Sequence, residues 1–415
     1  MTTEIAILNR GAVALAADSA LTIGRDRVWK SGNKLFSLGP TNDIAVMFYG
    51  LGDFIGYPWE TIVKCFRERT GNKAYGSVKE CSADFFDYIR SDLFKHEANE
   101  NLSLDYLFVV FFEILNKSIV YERKMEFRKV VADEVLEHLK IIESMEVFDN
   151  NITLPVFSRE FSKRIKDLAS DVFEQKITNE LHKIFVNYCF ELARREVTSK
   201  YHTGVVFAGF GKDQMFPYAE HFIVDGKCKG IFRSWSVDIS DLNNPNESPG
   251  IIVPFGQTDV VFMFMEGINE SYIEFIEKIW LRFLNTRSEE VINSYIKEKD
   301  ERTVELSKQK RENIKVMESF LDQFSKLRNK QHSRAITNIV SSLPKDEMAA
   351  MAEAMVELTS LRRKVDSRLE SVGGPVDVAI ISKGDGLIWT KRKHYFNMEL
   401  NSDYAVRKRL RREAP

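Results

Sequence analysis

The chain holds 415 residues, 44% of them hydrophobic, with 59 basic against 61 acidic side chains and a formal net charge of −2. At roughly 150 residues per domain there is room for about three domains. The apolar content excludes a disordered chain, and near-neutrality gives overall charge no reason to draw nucleic acid or an anionic membrane. In chain order, a hairpin comes first. Ile5, Ile7 and Leu8 form one strand, Asn9-Arg10-Gly11 a turn in which Gly accepts positive φ, and Val13 to Ala17 the return strand. Small residues on both faces of that second strand predict close packing on another layer. A second hairpin runs from Lys34 to Leu38, turns through Gly39-Pro40-Thr41-Asn42-Asp43 and returns from Ile44 to Tyr49. Gly50-Leu51-Gly52 ends it. Asp53 then stands where a helix N-cap is expected, ahead of Ile55, Trp59, Ile62 and Val63 at helical spacing.

Residues 76–200 read as helices, with apolar residues recurring at three and four. One stripe is Val135, His138, Leu139, Ile142 and Met145; another is Ile177, Leu181, Ile184, Phe185 and Tyr188. Asn150-Asn151 and Pro155 break the block. Strands return over 201–265: Gly204 to Phe210, then Ala219 to Val224, with Asp225-Gly226 as a hairpin turn into Gly230-Ile231-Phe232. Pro245 to Pro249 is a loop, and Val260 to Met265 fits a strand or a helix start. Residues 270–365 are helical again; Arg287 to Arg334 is dense in Glu, Lys and Arg and reads as a solvated arm. Val376 to Ser382 and Gly386 to Thr390 form a last hairpin, followed by a basic tail at Val406 to Arg412.

This order of strands, helices, strands, helices and strands predicts an α+β fold of two packed sheets with helices outside, because isolated hairpins are marginal and the strand blocks must pair in space. The core is then 1–75, 201–265 and 341–400, with a helical insertion at 76–200, a helical arm at 266–340 and a basic tail at 401–415.

The chemistry sits at the start. Thr2 is small enough for Met1 to be removed, which leaves a hydroxyl and an α-amine on one residue, a nucleophile with its own general base. A nearby cation keeps that amine neutral, and a carboxylate must hold the cation in place. Taken singly, Asp18 reads as a turn carboxylate and Lys34 as a surface lysine.

Thr2-Thr3, Ala17-Asp18-Ser19-Ala20-Leu21-Thr22, Lys34-Leu35 and Phe48-Tyr49-Gly50-Leu51-Gly52-Asp53 resemble the β-type subunits of the proteasome superfamily, above all the bacterial HslV and Anbu kinds. The resemblance implies a four-layer αββα N-terminal nucleophile (Ntn) hydrolase sandwich, here with added helical blocks. It implies a threonine peptidase that cleaves peptide amide bonds, with Thr2 as nucleophile, Lys34 as the cation, Asp18 orienting it, these two at the family's intervals of 32 and 16 residues after Thr2, and the Gly50 amide as oxyanion donor. Thr22 and Tyr49 would line the cleft, Thr22 pairing its backbone with an extended substrate. Val205 to Phe210 and Gly373-Gly374-Pro375 through Ile381 resemble later strands of the family. Ser371 is the nearest supporting serine, displaced by one residue from the Gly-Gly turn; Asp366 and Glu370 miss the usual interval. Thr258 in Gly256-Gln257-Thr258 stands nearest to a Ser-Gly-Ser-like stretch that here has no serine. A homo-oligomer is implied, with room for a separate ATP-dependent unfoldase. Two other readings stay open: a non-catalytic scaffold, and an amidase on a small-molecule amide.

Other signals are absent. The cysteines Cys65, Cys81, Cys189 and Cys228 form no CxxC, and seven histidines form no HxxxH or HExxH, so neither a disulfide framework nor a metal site is expected. No phosphate-binding or dinucleotide glycine pattern implies a cofactor. No stretch reaches the ~20 apolar residues of a membrane span, and Met1-Thr2-Thr3-Glu4 does not open a signal peptide. A cytoplasmic protein without membrane or nucleic-acid partners is expected.

Overall fold

Alternation of inward and outward side chains along the N-terminal strands sets the architecture. The computed structural model describes residues 2–23, 27–29, 32–91, 94, 104–105, 107–116, 127–148, 152–228, 231–365, 373–397, 399–404 and 406. Strands β1 (Thr3–Asn9) and β2 (Ala12–Ala17) form the first hairpin. Asn9 closes it: its Oδ1 accepts from the Gly11 and Ala12 amides at 2.9 and 3.1 Å. On one side β12 (Gly250–Gly256) pairs with β1; on the other β13 (Asp377–Ser382) pairs with β2 and then with β14 (Gly386–Lys391). The first sheet is therefore β12-β1-β2-β13-β14, antiparallel throughout. The second is β11-β10-β9-β6-β5, built from β5 (Leu35–Ser37), β6 (Asp43–Gly50), β9 (Thr203–Phe210), β10 (Tyr218–Cys228) and β11 (Ile231–Asp241). Two ribbons, β3 (Leu21–Ile23) with β4 (Arg27–Trp29) and β7 (Asp53–Phe54) with β8 (Tyr57–Pro58), stand apart.

The period of two gives each strand two buried faces. Ala6, Leu8, Val13 and Leu15 meet Ala45, Met47 and Val206 of the second sheet. On its other face the first sheet packs Ile5, Ile7 and Ala14 against Met348, Ala352 and Val356 of α11 (Lys345–Val365). The second sheet packs Val46, Phe48 and Phe207 against Trp59 and Phe66 of α1 (Trp59–Thr70) and Phe85 of α2 (Val78–Arg90). Alanines at positions 14 and 16 of β2 let α11 approach closely, as the small-residue pattern predicts. Two antiparallel sheets with helices segregated onto them make the chain α+β.

The block from 107 to 194 has a core of its own. Helices α3 (107–116), α4 (Phe127–Glu143), α5 (Leu154–Phe173) and α6 (Asn179–Arg194) bury Phe112, Val135, Leu139, Phe157, Leu181 and Phe185 together. Both predicted stripes face inward there, with His138 and Met145 at the margin. Arg233 of β11 clasps the end of α6: its guanidinium donates to the Leu192 and Ala193 carbonyls at 2.7 Å each, to the Val197 carbonyl at 2.5 Å and to the Asp225 carboxylate at 3.1 Å. The carbonyls that a helix C-terminus leaves open are thereby satisfied. Helices α7 (Asp259–Glu266), α8 (Glu270–Tyr295) and α9 (Lys299–Arg328) follow, and Asn313 of α9 bridges to Asn285 and Ser288 of α8. A π-helical turn, Asn329–Ser333, leads into α10 (Arg334–Val340), which Asn9 holds by donating to the Val340 and Leu343 carbonyls.

Two expectations are corrected. Asp53 is not a helix cap: it lies in β7, its carboxylate accepts from the Gly56 amide at 2.8 Å, and α1 starts at Trp59 behind Pro58. Proline suits that junction, since the first amides of a helix have no intrahelical partner. Asp225-Gly226 is not a hairpin turn but an irregularity inside β10, where the register shifts between Val224 and Lys227. Buried Asp225 is occupied by Arg233 and by the Ser199 amide, and Gly226 takes φ +108°. Residues 250–256 form a strand despite Pro254, because β12 lies at a sheet edge, where a missing N–H is tolerated. Val260 to Met265 is helical. Asn150-Asn151, Ser371, Asp366, Glu370 and the tail beyond 406 lie outside the described residues. Among the described residues no helix is long and apolar enough to cross a membrane.

Candidate active site

Four strand ends meet at one margin of the two sheets. Thr2 precedes β1, Asp18 follows β2, Lys34 precedes β5, and Gly50 closes β6. Thr2 is 5% exposed; its carbonyl accepts from the Gln257 amide at 2.8 Å, which ties it to the end of β12. Gly256 takes φ +75°, and a Cβ there would stand 2.3 Å from the Thr2 carbonyl oxygen, so only glycine lets β12 run this close. The Thr2 Oγ1 is buried without a hydrogen-bond partner.

Asp18 organises the margin. Its Oδ1 accepts from Lys34 Nζ at 2.5 Å and from the Thr3 amide at 3.2 Å. Its Oδ2 accepts from the Gly373 and Ala20 amides at 3.0 and 3.3 Å. A carboxylate offers about four acceptor sites, and all four are filled. Lys34 Nζ makes only this one hydrogen bond among the described residues, so two of its three N–H groups remain for other work. Lys34 is 3% exposed, its charge held by a pair that water does not screen.

Thr2, Lys34 and Gly50 open on one cleft of about 250 Å³, which Phe48, Trp59 and Asn33 also line. Phe48 and Trp59 stack at 4.7 Å and give it an apolar floor. At its rim Glu60 accepts from Lys64 Nζ and Asn33 Nδ2 at 2.5 and 3.2 Å. Partial burial pushes that carboxyl up, but the two hydrogen bonds outweigh it and hold the group below the ordinary carboxylate value. Gly50 takes φ +87°, and a Cβ there would stand 2.3 Å from the His202 carbonyl oxygen. Glycine is therefore required at this turn by its conformation and by the close approach of β9.

Tyr49 turns the other way. Its hydroxyl meets His221 Nε2 at 2.8 Å, and both line a second cavity of about 400 Å³ with Phe255, Gly256 and Phe262. Burial pushes the His221 imidazole down to about 4 and raises the Tyr49 phenol. Both groups are neutral at pH 7, and the His221 tautomer decides which of the two donates. Thr22 lies on β3 opposite Val28. Ser371 is outside the described residues, and the Gly373 amide is the group from that segment placed on Asp18. Thr258 precedes α7 and makes no capping hydrogen bond with its side chain. The geometry thus brings Thr2, Asp18, Lys34 and Gly50 together and puts Tyr49 on the neighbouring cavity.

Sequence reasoning passed over Glu4. It is fully buried on the face of β1 that carries Ala6 and Leu8 toward the second sheet, and neither carboxylate oxygen has a hydrogen-bond partner. Burial pushes its carboxyl up to about 8; Lys34 opposes that shift and Asp18 adds to it. The available signal was its place in the alternation Glu4, Ala6, Leu8. Among the described residues no group of three or more His, Cys, Asp or Glu side chains is placed to hold a metal ion.

No family model matches this chain, and no curated protein matches it. Solved structures do match. One is Anbu (ancestral beta-subunit) from Yersinia bercovieri, at 8% identity over 100% of this chain and 97% of that one, with a TM-score of 0.29. Another is an Anbu (Gly-1) mutant from Hyphomicrobium sp. strain MC1, at 12% identity over 100% and 96%, also with a TM-score of 0.29. Superposition at that level carries no argument; the chemistry has to be read from the residues themselves.

Proposed function

We propose that this chain is a threonine-type Ntn hydrolase that cleaves peptide amide bonds with Thr2, exposed by removal of Met1. The observation that carries the reading is the buried Lys34–Asp18 pair at 2.5 Å, whose Lys34 lines one cleft with Thr2, the Thr2 hydroxyl being buried and unpartnered. In this reading the α-amine takes the hydroxyl proton as Oγ1 attacks the carbonyl. The Lys34 ammonium, aligned by Asp18, keeps the amine neutral and favours the alkoxide. The Gly50 backbone receives the developing oxyanion. The amine returns its proton to the leaving nitrogen, and water then releases the acyl group.

The helix–sheet–sheet–helix order of the core supports the Ntn sandwich, and the two helical blocks are additions to it. A cytoplasmic homo-oligomer acting on peptides or proteins belongs to the same proposal, as does a separate unfoldase. Cleft size favours one second reading: about 250 Å³ falls below the usual range for drug-sized ligands and suits an amidase on a small-molecule amide. The test is hydrolysis of a panel of short fluorogenic peptides and simple amides by the wild type and by Thr2→Ala. Turnover of peptides that Thr2→Ala abolishes supports the peptidase; turnover of small amides alone moves the assignment to the amidase. Equal rates for both proteins overturn the nucleophile.

A further inference from the structure

A buried carboxyl with no hydrogen-bond partner is costly, and proteins rarely keep one without a use. Glu4 is such a group, 0% exposed with both oxygens unpartnered. It stands two residues from Thr2 on the same strand face, about 6.6 Å along the strand. The charges around it come from several elements. Lys34 and Asp18 act on it directly, and Glu4 in turn acts on Tyr49 of β6, which hydrogen-bonds His221 of β10. Beyond Lys34 stand Lys393 and Asp377, themselves paired, with Lys34 acting on Lys393. Its strand neighbours Ala17 and Phe255 bring no charge.

Asp18 has no acceptor site left, whereas Lys34 has two N–H groups unused and Thr2 a hydroxyl unpaired. Glu4 is thus a second carboxyl within the electrostatic reach of Lys34, with both oxygens unpartnered.

We propose that Glu4 is a positioning residue for Lys34, a protonation switch that leaves the ammonium on Asp18, at the cleft it shares with Thr2, while neutral and draws it away when ionised. The proposal rests on the reading of Thr2 as nucleophile. A neutral Glu4 leaves one negative charge, Asp18, to balance Lys34. An ionised Glu4 adds a second, which pulls the ammonium away from the Asp18 position beside the cleft and holds the Thr2 α-amine as ammonium, unable to act as a base. Both effects slow acylation as pH rises. The one bond broken is the Glu4 carboxyl O–H, its proton passing to water.

The test follows covalent labelling of Thr2 by a peptide epoxyketone from pH 6 to 9.5 and, on the same samples, the Lys34 ¹³Cε resonance, assigned by its loss in Lys34→Met. In the wild type, the labelling rate should fall about tenfold from its plateau by pH 9, one unit above the Glu4 midpoint, and the Lys34 resonance should inflect near pH 8. In Glu4→Gln both features should vanish while the rate at pH 6.5 stays within a few-fold. A wild-type resonance without that inflection, or the same inflection and the same alkaline fall in Glu4→Gln, overturns the proposal. The two readings separate cleanly. Inflection lost in Glu4→Gln with no labelling at any pH refutes the nucleophile and keeps Glu4 as a switch on Lys34; labelling without inflection does the reverse.

Discussion

Replacing Glu4 by Gln keeps the side chain's shape and removes its proton equilibrium. Burial raises this carboxyl from 4.5 to about 8. Below pH 4.5 the folded and unfolded chains both hold the proton, and the group adds no pH dependence. Between 4.5 and 8 the folded chain keeps a proton that the unfolded chain releases, so stability falls as pH rises. Above about 8 both forms are ionised and the loss is complete. At about 1.4 kcal/mol per pH unit, the full span is worth roughly 5 kcal/mol. From pH 5 to pH 8 the wild type should therefore lose roughly 4 kcal/mol relative to Glu4→Gln. Urea unfolding of both proteins at the two pH values, followed by far-UV circular dichroism, reads this difference directly. Parallel curves, with the gap between the proteins changing by less than about 1 kcal/mol, would refute the claim that Glu4 is a neutral acid in the folded chain.

Other predictions follow from the same geometry. Lys34→Met removes the cation beside Thr2 and should slow epoxyketone labelling by at least ~100-fold, the lower end of proton-transfer contributions; a loss under threefold, read by mass spectrometry, would leave Lys34 a structural ion pair. Gly256→Ala forces a side chain into φ +75° and against the Thr2 carbonyl; labelling should drop at least tenfold although far-UV circular dichroism remains that of the wild type. Arg233→Met strips four hydrogen bonds and leaves Asp225 buried without its cation. It should cost about 3–5 kcal/mol in denaturant unfolding, with hydrogen exchange rising first in α6.

The hairpins were legible because period-two alternation and turn residues agree at each of them: Asn9 to Gly11 and Gly39 to Asp43 both stand where the chain reverses. The Thr2, Asp18 and Lys34 set was legible through the resemblance to proteasome β-type subunits, whose intervals the three share beside the predicted hairpins; singly, Asp18 read as a turn carboxylate and Lys34 as a surface lysine. Glu4 was not, since a charged residue in a strand reads as solvent-facing until the layer that covers the strand is known. Pro254 hid β12, because the sequence does not say which strand is an edge. Asp225-Gly226 carries a turn dipeptide, yet Arg233, eight residues later, claims its carboxylate and keeps β10 running. Gly256 drew notice only as part of Gly256-Gln257-Thr258; the reason for a glycine there is a contact with Thr2, 254 residues away in the chain.

Intact-mass spectrometry of the purified chain, before and after incubation with a peptide epoxyketone, bears most directly on Thr2. The reagent closes a stable ring only where a hydroxyl and a free amine share one N-terminal residue. The account predicts loss of Met1 and a single adduct, absent from Thr2→Ala. A chain that keeps Met1 and takes up no reagent would contradict it.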